Sequence, residues 1–337
     1  MHLRGATATF ASSRTVQFIG NRGTYGAALK AQQSNIQFNG PVLAADNIAN
    51  AGAGGAFHLV LSNVTFSARA TLRNNSLDGC RDEWYFDEGC GGGAMFVRDS
   101  QVTHAERAAY LRNTASGADG GAVYIFGLSF GSDSLNSSLL ATKVVTFNGN
   151  SATRAGGAVW MANAVTFAGG ANFLSNSASQ EESSGSGGAV HVNPGGALAF
   201  GGPATFRNNI ASTGGAVTLR GSMSFANNKS RSCWVGNSAS VTTGGGALHI
   251  EANGRALFGM LAPHNFGPNR GGPLTDRTEL DIKVLAGGSY VCDSGQGAGN
   301  YNVEGNVCAA SCRMRQSCKC PAGQVFAAKQ CSCQREV

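Results

Sequence analysis

The chain has 337 residues, of which 49 are glycine, 7 are proline, 42% are hydrophobic and 13% are charged. This composition is too apolar for a disordered chain and too rich in glycine for ordinary globular packing. The formal net charge of +6 is spread thinly, with no basic run interleaved with aromatic residues, so a nucleic-acid partner is not expected.

We searched the sequence for a secretory signal and for a membrane-spanning segment, which would indicate where the protein is located. MHLRGATATF contains no cationic segment followed by an apolar stretch, so no secretory signal is visible and we expect the chain to be a fragment or a truncated product. No stretch approaches the roughly 18 to 20 continuous apolar residues that span a bilayer. We therefore predict no transmembrane segment within this chain.

A Gly-Gly-Ala motif, followed by an apolar residue, a variable residue and a second apolar residue, recurs seven times between Gly54 and Ile250. The clearest copies are GGAVYI (120–125), GGAVWM (156–161), GGAVHV (187–192) and GGAVTL (214–219). Self-similarity of this kind is the signature of stacked structural units. The sequence therefore predicts one unit that recurs along the chain, with insertions.

A second motif alternates with the first and consists of an aromatic residue or Leu, two variable residues and Asn. Its copies include FNGN (147–150), FLSN (173–176), FRNN (206–209), FANN (225–228) and WVGN (234–237). The segments around both motifs are short, rich in Val, Thr, Phe and Ile, and punctuated by Gly, Asn and Ser, with almost no helical period. Each unit is therefore predicted to hold two or three short strands.

A single short strand cannot bury its apolar face, but stacking each unit on the next buries it for every copy. We therefore predict an all-β fold, a right-handed parallel β-helix of the pectin-lyase-like solenoid type. Coils stacked about 4.8 Å apart place equal motif positions above one another. This predicts an inner stack of Phe rings and a corner ladder of side-chain amides that satisfies backbone groups. The ladder positions are Asn150, Asn176, Asn209, Asn228 and Asn237.

The alternation of GGA[V/L/M] with FxxN over Gly26–Asn269 resembles the repeat of the chlamydial polymorphic outer membrane proteins. It also resembles β-helix repeats of large surface proteins of algae and other protists. The resemblance implies an extracellular or cell-surface protein with an adhesin-like or structural role. This chain departs from the bacterial family at its C-terminus, which is rich in cysteine.

The ten cysteines indicate an oxidising compartment. Cys80 and Cys90 bracket a short insertion, and this spacing predicts a disulfide between them, while Cys233 stands alone. The C-terminal C-x-C-P-A-G-Q spacing looks like an ephrin-receptor-like or EGF-like module. That resemblance implies disulfides among Cys292, Cys308, Cys312, Cys318, Cys320, Cys331 and Cys333.

A zinc site is the alternative for the terminal cysteines. Zinc sites favour C-x2-C pairs, whereas these pairs are C-x-C, and no histidine follows His264. Disulfides are therefore favoured, and neither a metal nor a cofactor is expected. The predicted organisation is a β-helix domain over 1–275, a linker or terminal strand over 276–291 and a disulfide module over 292–337.

Two groups of residues are candidates for binding. The insertion between Cys80 and Cys90 places Trp84 and Tyr85 among four carboxylates, which favours either a partner-binding or weak calcium-binding tip, or a solvated loop whose aromatic rings fold back onto the solenoid. The second group is the variable residue of each GGA strand, which strand alternation sends outward. Stacked coils would align these residues in one column, namely His58, Phe96, Tyr124, Trp160, His191, Thr218 and His249.

Rings in such a column could hold an extended glycan or a flat protein surface, and the alternative is a stacking ladder that serves stability alone. The separated histidines are not expected to bind a metal. Only 19 residues are acidic, and none recurs at one register in adjacent coils. We therefore expect a non-enzymatic surface protein that binds glycans or surface proteins. The alternative is a polysaccharide lyase or hydrolase of the pectin-lyase-like type, which needs an acidic cluster.

Overall fold

The computed structural model of the chain describes residues 1–258 except 12, 51, 81–88, 128–136, 180–184, 226–229 and 242–243. Beyond Phe258 it describes 264–266, 269–270, 282–285, 288–292, 303–304, 324–327 and 332–335. All regular segments of the described residues are β-strands, and those of the solenoid belong to four sheets. Sheets 1 to 4 are numbered in the order in which the chain visits them.

Sheets 1 and 2 each gather one strand from every coil. The strands of sheet 1 are His2–Arg4, Leu29–Gln32, Phe57–Val60, Met95–Arg98, Val123–Phe126, Val159–Met161, Val190–Val192, Val217–Leu219, Leu248–Ile250, Ile282–Val284 and Val303–Glu304. The strands of sheet 2 are Thr7–Phe10, Asn35–Phe38, Asn63–Phe66, Gln101–His104, Ser138–Ala141, Ala164–Phe167, Ala197–Phe200, Ser222–Phe225, Arg255–Phe258 and Ser289–Cys292.

Sheets 3 and 4 complete each coil. The strands of sheet 3 are Val16–Ile19, Val42–Ala45, Ala70–Arg73, Ala108–Leu111, Val145–Asn148, Ala171–Leu174, Ala204–Arg207, Ser232–Val235 and His264–Phe266. The strands of sheet 4 are Arg22–Gly23, Ile48–Asn50, Ser76–Asp78, Thr114–Ser116, Ser151–Ala152, Ser177–Ala178, Ile210–Ala211 and Ser238–Ala239. Outside the solenoid, Gln324–Ala327 and Ser332–Arg335 form an antiparallel pair.

The chain passes through sheets 1, 2, 3 and 4 in turn and then begins the next coil, so neighbouring strands of a sheet come from successive coils. The pairing is parallel throughout the four sheets, as in the register of Val123 with Val159 and of Val159 with Val190. This confirms the predicted all-β parallel β-helix. Coils of different length in sequence keep this register, because the extra residues fall between strands, where a solenoid accommodates insertions.

The interior of the solenoid is filled by the residues that strand alternation turns inward. Val123 and Ile125 of a GGA strand are fully buried, and the equivalent residues of the other six GGA strands are buried as well. Phe147, Phe173 and Phe206 of sheet 3 stack face to face with ring centroids 5.0 Å apart in successive coils. The predicted inner stack of aromatic rings is therefore present, and burial of these large rings supplies much of the stability of the fold.

The FxxN corner between sheets 3 and 4 depends on a left-handed residue immediately before the asparagine. Most residues at this position are Gly, Asn or Asp, which adopt a positive φ with least strain. Arg112 and Ser175 occupy it as well, each with φ of 52°. The backbone thus turns in the same way at the corners from Asn21 to Asn237, whatever the side chain, and presents the following asparagine to the interior of the corner.

The corner asparagines form a ladder along the axis. Each side-chain oxygen accepts hydrogen bonds from the backbone and side-chain amides of the asparagine in the preceding coil, as Asn176 does from Asn150 at 3.0 and 2.9 Å. From Asn47 onward, each side-chain nitrogen also donates to a carbonyl of an earlier coil, as Asn176 does to Phe147 at 3.1 Å. The same pattern links Asn21, Asn47, Asn75, Asn113, Asn150, Asn176, Asn209, Asn237 and Asn269.

One copy of the FxxN motif is not a corner. Phe225 ends a strand of sheet 2 and stacks between Phe200 and Phe258 of that sheet, and the ladder passes directly from Asn209 to Asn237. The prediction that FANN repeats the corner is therefore wrong for Phe225, because sheets 2 and 3 both carry inward-facing Phe residues and the motif alone does not distinguish them. Asn228 itself lies outside the described residues.

The two glycines of a GGA motif have different roles. Gly120 has φ of 66°, in the region that favours glycine. Gly121 lies against the next coil, and a Cβ atom on it would approach the carbonyl oxygen of Gly157 to 2.1 Å. The pair therefore permits both the turn into sheet 1 and the close contact between coils.

Replacing Asn176 with Ala tests the ladder. Asn176 is fully buried, so the substitution removes four hydrogen bonds and leaves buried groups of Asn150 and Asn209 without partners. We expect Asn176→Ala to lower the free energy of unfolding by about 2 to 4 kcal/mol in urea denaturation. Asn172→Ala, on the outer face of sheet 3, is the control and should cost about 0.5 kcal/mol or less. Equal losses in the two variants would show that the ladder does not stabilise the coils.

Candidate functional site: the outer faces of the coils

The column predicted from the GGA strands exists on the outer side of sheet 1. Its rings stack nearly parallel from coil to coil, with interplanar angles of 2° for His58 with Phe96, 2° for Phe96 with Tyr124, 5° for Tyr124 with Trp160 and 8° for Trp160 with His191. The tightest contact is between Tyr124 and Trp160, whose centroids are 4.3 Å apart. Thr218 and His249 continue the same register position.

The column is not the open platform that strand alternation suggests. Phe96 is 1% exposed and Tyr124 is 7% exposed, and among the column residues only Trp160 is partly open to solvent. Phe96 and Tyr124 belong to a separate apolar cluster with Ala53 and Val60 outside the solenoid interior. The rings are therefore outside the sheet, as expected, but most of them are covered.

The cover is the connection that enters sheet 1 from sheet 4. A Cβ atom on Gly91 would lie 2.4 Å from the Tyr124 ring, which shows how closely this connection crosses the column. Further along, the Ser186 hydroxyl is 2.8 Å from Nδ1 of His191, and the Thr218 hydroxyl donates to the carbonyl of Thr213. Because the ring faces contact one another and the connections cover their edges, this arrangement favours the stacking ladder over a glycan platform.

Burial controls the charge of the column histidines. Burial, with smaller contributions from the charges of Lys30 and Arg98, lowers the pKa of His58 to about 3. Burial and the charge of Arg220 lower the pKa of His191 to about 4, and burial also lowers the pKa of His249. These rings are neutral near pH 7. Among the described residues, no group of three or more His, Cys, Asp and Glu side chains is placed to hold a metal ion.

A polar pair inside the solenoid was missed by the sequence analysis. His104 occupies a position of sheet 2 where the coil below has Phe66, and its Nε2 lies 2.8 Å from the hydroxyl of Tyr110. Both side chains are fully buried. Burial lowers the pKa of His104 to about 3 and raises the pKa of Tyr110. The signal was the replacement of Phe by His in the Val-Thr-Phe pattern, but a pair closed to solvent has no route to a substrate.

The Cys80–Cys90 disulfide predicted from spacing is present. Trp84 and Tyr85, within the loop that it closes, lie outside the described residues, so their candidate binding role stays a prediction. Cys233, which the sequence left alone, is also disulfide-bonded. Of the C-terminal cysteines, Cys292 and Cys333 are described only as parts of strands, and Cys308, Cys312, Cys318, Cys320 and Cys331 lie outside the described residues.

Sheets 2 and 3 present different outer faces. The outward positions of sheet 2 carry only uncharged residues from Thr7 to Ser224, mostly Thr, Ser, Asn, Gln and Ala. Sheet 3 is bordered by arginines, including Arg69 and Arg107 before its strands and Arg73 at a strand end. The positive charge, which the sequence shows as scattered, is therefore gathered by the fold along sheet 3.

Comparison with known families gives a match for one repeat of the chain. Residues 144–161 match the Chlamydia polymorphic membrane protein (Chlamydia_PMP) repeat. They contain the sheet 3 strand Val145–Asn148, the ladder residue Asn150, the GGA turn and the strand Val159–Met161. The resemblance seen in the sequence is therefore confirmed. Searches of curated proteins and of solved structures gave no significant match.

The match gives structural meaning to the repeat, since it spans one corner and one GGA turn, the two places where the backbone needs special residues. None of the described segments is a helix with the length and hydropathy needed to cross a membrane. The chain is thus a parallel β-helix that carries a repeat of the polymorphic membrane protein type.

Truncating Tyr124 tests whether the column is a ladder. The ring is buried and stacked on two neighbours, so we expect Tyr124→Ala to lower the free energy of unfolding by about 3 kcal/mol. Tyr124→Phe keeps the ring and should change stability by about 1 kcal/mol or less. Chemical denaturation of both variants measures this. Full stability in Tyr124→Ala, together with lost ligand binding, would instead support a binding platform.

The buried histidines predict a loss of stability in acid. The pKa of His104 is about 3 in the folded chain and near 6.5 when unfolded, so the unfolded state binds the proton first as the pH falls. Its stabilising contribution is complete above pH 6.5 and is lost progressively between pH 6.5 and pH 3. The free energy of unfolding falls when the pH is lowered from 7.5 to 5. We expect this fall to be about 2 kcal/mol smaller in His104→Phe/Tyr110→Phe than in the parent.

This double variant places at both positions the Phe found in neighbouring coils, so the interior remains apolar and filled. His2→Gln, at an exposed position, is the control and should follow the parent at both pH values. Urea denaturation at pH 7.5 and at pH 5 gives the comparison. Unchanged acid sensitivity in the double variant would show that protonation of His104 is not a cause of the loss.

Proposed function

We propose that this chain is a non-enzymatic, extracellular or cell-surface β-helix that acts as an adhesion or structural module. The observation that carries the proposal is the continuous stack of coils, which is fixed by the asparagine ladder between sheets 3 and 4 and by the ring ladder outside sheet 1. Rigid, extended sheet faces suit contact with large ligands, as in other solenoid proteins. The repeat match at 144–161 supports the same role, because that repeat belongs to a family of membrane proteins.

The contact surface in this proposal is an outer sheet face and not the ring column. The column rings contact one another and the connections above them, whereas the described outward residues of sheets 2 and 3 are exposed or half-buried, except Ala45 and Cys233. Glycans or surface proteins are the proposed partners. The segment closed by the Cys80–Cys90 disulfide is a further proposed contact, because connecting segments on a rigid scaffold often carry binding residues.

The enzymatic alternative needs acidic groups that approach one another on a face of the solenoid. Among the described residues, the carboxylate with a raised pKa is Asp119, whose pKa is raised by burial and which accepts a hydrogen bond from the amide of Ala155. This bond gives Asp119 a structural role at the turn before a GGA motif. The charged side chain that acts on the pKa of Asp119 is the cation of Arg154 and not a second carboxylate, so we favour binding over catalysis.

A paired binding and turnover assay tests the proposal. The purified chain is applied to an array of neutral and acidic glycans and of extracellular-matrix proteins, and the same polysaccharides are assayed for released reducing ends and unsaturated products. We expect binding to at least one surface and no release of products. Release of products would overturn the non-enzymatic role, and absence of binding to every surface would remove the adhesion role.

A further inference from the structure

We propose that the outer face of sheet 3 in the third to fifth coils is a binding site for an anionic polysaccharide. The site consists of Arg69, Arg73, Arg107, Arg112 and Lys143, and we call it the basic face. The inference rests on the proposed binding role and specifies its ligand. None of these residues belongs to the ring column, and Arg73 and Arg112 also lie in the corners that lead to Asn75 and Asn113.

The residues of the basic face stand in two rows, one at each end of the sheet 3 strands, which we call its margins. Arg69 and Arg107 stand in adjacent coils immediately before sheet 3, as the hydrogen bond from the amide of Ala70 to the carbonyl of Arg107 shows. Lys143 lies in the next coil, one residue further from the strand, since Ala108 pairs with Val145. All three basic side chains are exposed. They form the entry margin, with successive members about 4.8 Å apart along the axis.

The exit margin lies at the other end of the same strands. Arg73 is the last residue of its strand, and Arg112 follows Leu111, with which Arg73 is in register. Nε of Arg112 donates to the side-chain oxygen of Asn74 at 3.2 Å, which holds the guanidinium over the third coil beside Arg73. Arg73 is four positions after Arg69, and at about 3.3 Å per residue the two margins are about 13 Å apart.

The floor between the margins is flat and uncharged. Thr71, Ala109 and Thr146 occupy the same register position in the three coils, and each is half-buried. Their small side chains leave a shallow track that follows the solenoid axis. A linear ligand could lie in this track and place its anionic groups at both margins, where guanidinium forks bind carboxylate and sulfate groups in a bidentate manner.

The charge balance of the basic face favours an anion. The nearby carboxylates are Asp46, which accepts a hydrogen bond from Asn74, and Glu106, beside Arg107. Neither forms an ion pair with the basic face in the described part of the chain. Five cations near two carboxylates therefore leave an excess of positive charge on one side of the molecule, whereas sheet 2 next to it is uncharged over the same coils.

A polysaccharide fits the basic face better than other polyanions do. Single-stranded nucleic acid is usually bound by aromatic side chains that stack on its bases, and the floor offers Thr and Ala instead. Duplex DNA is recognised by a helix or a β-ribbon that enters a groove, and the flat basic face has no such projecting element. A linear glycan that bears sulfate or carboxylate groups needs only regularly spaced cations and a smooth track, which this face provides.

Charge reversal with a matched control tests the site. The site variant is Arg69→Glu/Arg107→Glu/Lys143→Glu, and the control variant is Arg4→Glu/Arg22→Glu/Arg255→Glu. The control changes the net charge equally at exposed positions away from the basic face. A third variant, Arg69→Gln/Arg107→Gln/Lys143→Gln, removes the charges without reversing them and is used if the first fails to fold by circular dichroism. Binding is measured to heparin, polygalacturonate, neutral dextran and duplex DNA.

We expect the parent to bind heparin, polygalacturonate or both, with an affinity that falls steeply as salt rises, and to bind neither dextran nor duplex DNA with comparable affinity. The site variant should raise the Kd by about tenfold or more, and the control by about threefold or less. Binding to heparin alone identifies sulfate as the recognised group, and equal binding to polygalacturonate identifies carboxylate. Both results support the proposal.

Equal weakening in the site and control variants would overturn the proposal, because net charge alone would then explain binding. Unchanged binding in the site variant, equally tight binding to duplex DNA, or no binding to either acidic polysaccharide would also overturn it. If the chain still binds a neutral glycan or a matrix protein in the array assay, the proposed adhesion role stands without this site. If it binds nothing, both proposals fail.

Discussion

Hydrogen bonding between the asparagine of one corner and that of the next is the interaction on which the structure depends. The backbone amide of the corner asparagine finds its hydrogen-bond acceptor in the next coil. This acceptor is the side-chain oxygen of the next asparagine, as Asn209 provides for Asn176. Because each asparagine both donates and accepts, the bonds continue from coil to coil and fix the register of all four sheets. The strands can then be short, since the corner and not strand length aligns them.

The same alignment accounts for the rings inside the solenoid and for those outside sheet 1. Once coils are in register, equal positions lie above one another, and aromatic residues stack inside at Phe147 and Phe173 and outside at Tyr124 and Trp160. The connections from sheet 4 then close over the outer stack. Rings used in this way stiffen the scaffold, whereas most outward side chains of sheets 2 and 3 remain accessible to solvent.

Much of the fold follows from the sequence, because GGA and FxxN mark the two backbone turns that need particular residues. Their repetition predicts parallel coils and the ladder through Asn150 and Asn176. Burial of the column could not be predicted, since alternation shows which side of a sheet a residue occupies but not which connection crosses it. The basic face was also hidden, because Arg69 and Arg107 are far apart in the sequence and adjacent only after the coils stack.

Hydrogen exchange at the corner amides tests the central claim most directly. The backbone amides of Asn113, Asn150 and Asn176 each donate to the side chain of the next asparagine within a fully buried corner. We predict that they exchange as slowly as the amides of the neighbouring strands and far more slowly than the exposed turn at Asn253. Exchange at the rate of that exposed turn would show that the corner is open in solution and that the ladder does not hold the coils together.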